Sequence, residues 1–428
     1  MALRIFMHWT HFGSLPSVAV MSIESPLPPA PVWSGHPRGS TDYRRLLAAL
    51  FCAGVATFAQ LYSPQAVLPQ IAGDLRIGAA DAALMVSAST IGLAAGVIPW
   101  SMVADRIGRV RTISISVIAA TALGLLVPFV PGYDFLLLGR ALEGFALAGV
   151  PAVAVAYLTE EIDPKHAARA AGTYVAGTTI GGLLGRLVAG PVAEILDWRA
   201  GVFTVAVLCG IAAFGFVKLA PAPQGFAPSL LRGADPDGGV IRRLAANLRS
   251  PRQLTIYAQA FLLMGGFVAM YNFLGFRLTA APFHLPQTVV SLVFLAYLAG
   301  TWASARAGAE ATRFGRKPIL LTSIAIMPLG VAVTLSTNAI IVLVGLVIAT
   351  AGFFGAHATA SGWAGSAAKV GKAQASSLYN LFYYGGSSLF GWFGGVAFDA
   401  YGWPGVAATI MILAAVAAAG ATLVLRRN

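Results

Sequence analysis

The chain has 428 residues, 57% hydrophobic and only 10% charged, with a mean hydropathy of +0.77. About a quarter of a soluble globular chain is charged, so a soluble enzyme, a nucleic-acid binder and a disordered protein are excluded. The apolar runs, roughly twenty residues each, have the length an α-helix needs to cross about 30 Å of hydrocarbon. The net charge of +12 is therefore read for where it lies, not as a sign of nucleic acid.

Residues 1–43, with Pro26-Leu27-Pro28-Pro29-Ala30-Pro31 and Gly35-His36-Pro37, cannot form a spanning helix and read as a disordered cytoplasmic tail. No signal peptide is recognisable there, and Met21 is an alternative start to Met1. Twelve apolar segments follow, near 46–68, 82–103, 111–130, 135–158, 168–190 and 200–219, then 254–276, 287–305, 318–336, 338–360, 374–396 and 403–424. None shows the alternation of a barrel strand, so all are helices. A polar central loop, 220–252, parts six from six. An even count puts both termini on one face. That face carries 23 of the 28 Lys and Arg, and the opposite face only Arg76, Arg199 and Arg277. The bias predicts cytoplasmic termini. Cys52 and Cys209 lie inside apolar runs without a CxxC or histidine partner, so neither a disulfide nor a metal site is expected.

The halves repeat. Asp105-Arg106-Ile107-Gly108-Arg109, after the second segment, returns as Thr312-Arg313-Phe314-Gly315-Arg316, and Gly190, Glu194 and Trp198 return as Gly395, Asp399 and Trp403. Two matches at nearly one offset, in corresponding loops, indicate a duplicated six-helix unit. Asp105, Arg106, Gly108, Arg109 and Arg111, with Arg313, Gly315 and Arg316 in the copy, are the candidate gate. Asp105 follows a helix end and is expected to pair with arginines across a cytoplasmic interface while the outward-open state holds, a network that breaks when the halves rock. The alternative is a plain topogenic cluster of positives.

Arg140 and Glu143 in the fourth segment and Arg186 in the fifth lie at similar depths inside the membrane. Such charges are costly in lipid and face a partner or a cavity. Three readings stand. Glu143 carries a coupling proton, its proton affinity set by Arg140 or Arg186. The charges form a static bridge between helices. Or the surplus positive charge holds an anionic substrate group. Candidate cavity residues are Gln60, Tyr62 and Gln65 in the first segment, Gln259 and Asn272 in the seventh, His357 in the tenth, and Tyr379, Asn380 and Tyr383 in the eleventh. Aromatics beside a few amides suit a ligand with an apolar body and scattered hydrogen-bonding groups, while each residue alone fits a helix–helix hydrogen bond or an interfacial anchor equally well. Gly177, Gly181 and Gly185, and likewise Gly391 and Gly395, form small-residue faces that let helices approach and slide at the seam between halves.

On these residues the chain resembles the major facilitator superfamily, whose second-to-third-helix loop carries a Gly-x-x-x-Asp-Arg-x-Gly-Arg-Arg motif. Ser101 replaces the opening glycine here, and Thr312 replaces the aspartate in the second copy. The resemblance covers about 44–425. Gly177–Arg186, Gly352–His357 and Ala375–Asn380 are similar to the bacterial inner-membrane branch typified by YnfM, grouped with arabinose-efflux and drug–proton antiport permeases. The resemblance implies an all-α membrane protein with twelve transmembrane helices as two pseudo-symmetric six-helix bundles, 44–219 and 253–425. It also implies a fourth-helix Arg-x-x-x-Gly motif linked to proton coupling, with Glu143 where the family usually has Gln. The function implied is proton-coupled export of a small molecule by a monomer, without cofactor or metal. Uptake of a sugar or organic acid is the alternative. An integral-membrane enzyme or sensor is remote, since HExxH, GxSxG and paired histidines are absent, and no GxxxxGK[ST] sequence supplies ATP drive.

Overall fold

The computed structural model describes residues 33–226 and 239–425, and Ser34 opens the compact unit that holds every helix among the described residues. Ten helices long and apolar enough to cross a membrane come first: α1 Thr41–Leu75, α2 Ala79–Ile107, α3 Arg109–Phe129, α4 Tyr133–Glu161, α5 Pro164–Ile195, α6 Trp198–Leu219, α7 Pro251–Thr279, α8 Gln287–Phe314, α9 Arg316–Val333 and α10 Ala339–Ala367. The last helical stretch, Lys372–Val424, is broken at Gly402 (φ 61°, ψ −153°), a backbone region open to glycine. Its parts, 372–401 and 403–424, are α11 and α12. Among the described residues there is no strand, only an isolated bridge between His36 and Ile162.

Several helices outrun the expected apolar segments because polar turns continue beyond the hydrocarbon and end in side-chain caps. Ser40 accepts from Tyr43 N at the start of α1, Asp163 from Lys165 N at α5, Asp197 from Ala200 N at α6 and Asn338 from Ile340 N at α10. Inside α1 the chain tightens into a 3-10 turn over Ser63–Val67, where Pro64 lacks an N–H to continue the α ladder.

Two expectations about the flanks need correction. Part of the tail read as disordered is docked: His36 N donates to Glu161 O (2.7 Å), and Ser40 caps α1. Residues 1–32 lie outside the described part. The central loop is not all loop, because Gly239–Leu248 is a helix, tied by Asn247 Nδ2 to Val370 O (3.0 Å).

The duplication is visible in the backbone. Gly108 (φ 96°, ψ 160°) and Gly315 (φ 87°, ψ 158°) hold the same glycine-only conformation at the α2–α3 and α8–α9 turns. Packing repeats as well. A Cβ on Gly181 of α5 would sit 2.6 Å from Val55 Cα in α1, and one on Gly386 of α11 would sit 2.6 Å from Phe261 Cα in α7. Gly177 and Gly185 meet α1 likewise, at Phe51 and Ala59. The fifth-helix glycines thus lock α5 to α1 inside the first bundle, not at the seam between halves as expected. Gly391 and Gly395 do lie on that seam, against Ser87 and Ala80 of α2.

Candidate functional site

Consecutive spans alternate in direction, so the starts of α2 and α8 share one face (the far face) with the ends of α1, α5 and α11. The α2–α3 and α8–α9 turns share the other, the motif face. Between them, Arg140 and Glu143 are three residues apart on α4 and therefore project from one side of it. Arg140 Nη1 meets Glu143 Oε2 at 2.5 Å, and both side chains are buried. Arg140 also donates from Nε to Met85 O (3.0 Å) and from Nη2 to Leu61 O (2.8 Å), and Nη1 approaches Gln60 O (3.4 Å). The pair thus ties α4 to α2 and to α1 just before its 3-10 turn. Gln60 Nε2 donates to Ala120 O of α3.

Arg186 is not part of this cluster. It is buried, but its Nε donates to Gln65 Oε1 (2.7 Å), its Nη1 to Gly182 O (2.5 Å) and its Nη2 to Tyr297 OH (3.4 Å). Three rings surround the guanidinium, with centroids 4.5 Å (Tyr62), 4.9 Å (Tyr297) and 5.0 Å (Phe294) from its Cζ. Depth along the helices, the basis for grouping the three charges, carries no information about which way a helix face points.

Arg186 and Tyr62 line a cavity of about 580 Å³ between the bundles. α5 contributes Thr178 and Thr179, while α7, α8, α10 and α11 contribute Phe267, Tyr297, His357 and Asn380. Of the expected cavity residues, Tyr62, His357, Asn380 and Tyr383 are on its wall. Tyr379 stands behind it, its hydroxyl 3.0 Å from His357 Nδ1. Gln65 and Asn272 bond to each other across the bundles (Nε2 to Oδ1, 2.6 Å). Gln259 links α7 to α12 through Ala417 O (3.1 Å), and Gln60 belongs to the Arg140–Glu143 cluster. Tyr297, Phe267, Phe354 and Tyr384 were missed, because aromatics within wholly apolar helices look alike whether they face a cavity, a neighbour or lipid.

The far face is closed by a reciprocal contact. Asp399 of α11 accepts from Ala79 N and Ala80 N (both 3.1 Å), in the first turn of α2. Glu194 of α5 accepts from Thr288 N (2.5 Å), in the first turn of α8. Neither helix has a cap of its own, since Gly78 and Pro286 occupy the N-cap positions without a side-chain bond. Each bundle's carboxylate therefore satisfies free N–H groups of the other's helix, at the positive end of its dipole. Ser87 Oγ to Ser388 O (3.0 Å) and Thr90 Oγ1 to Ser388 Oγ (2.6 Å) continue this seam inward.

On the motif face the copies differ. Asp105, which lies within α2 and not after it, meets Arg109 Nη1 at 2.6 Å, while Glu160 at the end of α4 takes Arg109 Nε and Nη2 (3.0 and 2.8 Å). These bonds stay inside the first bundle and do not span the interface between the bundles. Phe226 lies 5.2 Å from Arg109 Cζ, and Glu161 accepts from Gln224 N and Gly225 N (each 2.8 Å). In the copy, Arg316 donates to Ser366 Oγ and Arg313 lies over Phe314. Glu160 and Glu161 carried no sequence signal beyond being acidic at a helix end. Arg106 and Arg111 are exposed.

Known proteins share this architecture. The sequence profile of the Major Facilitator Superfamily matches residues 50–308. The chain is 38% identical over 390 residues to the inner membrane transport protein YnfM of Escherichia coli (strain K12), covering 91% of this chain and 93% of YnfM. It is 34% identical over 380 residues to the MFS-type transporter YybF of Bacillus subtilis (strain 168), covering 89% and 93%. Among solved structures, an inward-facing, unoccupied bacterial homologue of the human lysosomal transporter Spinster superposes with a TM-score of 0.75 at 17% identity, covering 90% of this chain and 98% of that one. The chain belongs to the major facilitator superfamily, and it is a membrane transporter, not an enzyme.

Proposed function

We propose that the protein exports a small organic molecule in exchange for protons, by alternating access, as a monomer in the bacterial inner membrane with both termini cytoplasmic. The observation that carries this reading is the cavity of about 580 Å³ between helices of both bundles, with the far face sealed beyond it. Gly182 on the cavity wall is twelve residues short of Glu194, roughly 18 Å along α5. A site closed on one side by breakable interbundle bonds is what alternating access requires. The Lys and Arg bias supports a cytoplasmic motif face, and on that reading the state sealed at the far face is inward-facing. The bundles 44–219 and 253–425 are the moving parts.

Proton coupling rests on Glu143, a buried carboxyl whose partner Arg140 holds the carbonyls of Gln60 and Leu61. The next residue, Tyr62, carries Arg186, so a change of charge at Glu143 reaches the cavity through one stretch of α1. Growth of deletion and overexpressing strains across a compound panel tests the function. Raised tolerance on overexpression is the expected result, and growth lost on a sole carbon source in the deletion strain would instead establish uptake.

The motif-face network of Asp105, Arg109 and Glu160 is assigned to gating. Asp105→Asn is expected to lower initial transport rates several-fold at normal expression and membrane insertion. Unchanged rates would reduce the cluster to a topology signal.

A further inference from the structure

The cavity has a charge that its walls do not balance. Arg186 is the formally charged residue among those lining it, and among the described residues no carboxylate lies within ion-pair distance of it. A guanidinium carries five N–H donors, and the bonds to Gln65, Gly182 and Tyr297 engage three. Two donors have no bond among the described residues and the Nη2 contact is long (3.4 Å), and Arg186 lines the cavity together with Tyr62, Thr178 and Thr179. Ring faces hold the cation in place and orient it, but they leave its unit charge intact, and an unpaired buried charge is strongly unfavourable. Arg140, by contrast, is neutralised by Glu143. The chain therefore keeps one buried cation closed and the other open to the transported molecule.

We propose that Arg186 is an anion-recognition residue, and that the substrate class is organic carboxylates with a flat, apolar body. The carboxylate takes the free edge of the guanidinium, for which two parallel N–H···O bonds are the matched geometry. The body lies against Phe58, Met264, Phe267 and Phe354, and Asn380 and the two threonines serve any further polar group. Stacked Phe267 and Phe353 (centroids 3.9 Å, planes 12° apart) support this apolar wall from behind. This assignment rests on the cavity being the transport site.

The test is ligand-dependent thermal stabilisation of the detergent-purified full chain with three probes: 2-naphthoate, its uncharged counterpart 2-naphthamide, and acetate. Binding to the folded state raises the unfolding temperature with concentration. Naphthoate is expected to stabilise strongly, and naphthamide and acetate little. In Arg186→Gln the apparent Kd for naphthoate weakens by about ten- to a hundredfold. Gln65→Glu is the second variant, independent of whether Arg186→Gln folds. Gln65 Oε1 already accepts from Arg186 Nε at 2.7 Å, so the substitution supplies an internal counter-ion. Asn272 Oδ1, which accepts from Gln65 Nε2 at 2.6 Å, must give way to its own amide donor, a turn of the Asn272 amide that keeps the contact, so the protein should stay folded but be unresponsive to naphthoate. Equal stabilisation by naphthamide, or a full naphthoate response in Gln65→Glu, overturns the anion assignment while leaving a small-molecule cavity. Equal stabilisation by acetate overturns the apolar-body part of the class. No response to any probe, with tolerance raised only for neutral or cationic compounds, overturns this inference and leaves export standing.

Discussion

Glu143→Ala is expected to destabilise the protein by about 3–5 kcal/mol, the usual consequence of stripping one partner from a buried ion pair. Arg140 would keep its bonds to Met85 O and Leu61 O but would hold a full charge in a fully buried site. Replacing both residues together, Arg140→Met with Glu143→Leu, removes the stranded charge and should be less damaging than the single change. It remains costly, because the carbonyls of Leu61 and Met85 each lose a charge-assisted bond, worth about 1.5–3 kcal/mol. Thermal unfolding of the purified variants ranks them. A single variant as stable as the parent would mean that Arg140 finds water or another partner, and the pair would then not anchor α4. The isosteric Glu143→Gln addresses coupling separately. If Glu143 carries the proton, an exported compound added to everted vesicles dissipates a proton gradient with the parent protein and not with this variant.

The second large effect concerns the far-face seal. With Cys52 and Cys209 replaced by alanine, a reporter cysteine at Thr179, on the cavity wall, should react with a membrane-impermeant thiol reagent applied from the far face only when the seal opens. A disulfide between cysteines placed at Ala79 and Asp399, where Ala79 N now donates to Asp399 Oδ1 (3.1 Å), is expected to reduce that labelling to background, and reductant to restore it. The opposite change should speed it. Asp399→Ala removes a helix cap worth about 1 kcal/mol, which is about fivefold in a two-state equilibrium at 1.4 kcal/mol per tenfold. Adding Glu194→Gln should speed labelling further. Labelling that ignores both changes would mean that the far face does not open through this contact.

The architecture was legible because lipid enforces it. Apolar runs, the uneven distribution of Arg and Lys and the recurrence of Gly108 at Gly315 each report a constraint that acts on sequence position alone. The sites were less so. Arg140 and Glu143 are paired by helical spacing, and the sequence shows that directly. Arg186 was rightly singled out as a buried charge, yet its neighbours Gln65 and Tyr297 come from other helices whose rotation about their axes no periodic pattern reveals, since these helices are apolar on every side. For the same reason the sequence leaves open whether Gln259 and Gln60 line the cavity or join helices, and they join helices. Helix ends were misjudged where caps such as Asp163 carry a helix beyond the hydrocarbon, and Asp105 was placed outside a helix that in fact includes it.

The crossed caps have a consequence for how such a chain arises. Each half offers one carboxylate and one uncapped helix start, and receives the same two things in return. That is the form of an isologous interface, in which a surface meets its own copy about a two-fold axis. A single six-helix unit with these two features would close on a second copy of itself, and fusing the pair into one chain preserves the contact unchanged. The opposite face kept no such equality. Asp105 answers to Thr312 there, and Glu160 has its counterpart near Ser366. The molecule is a joined homodimer at the far face and a heterodimer at the motif face, so the divergence that distinguishes its halves has accumulated on the side of the repeated loop motif.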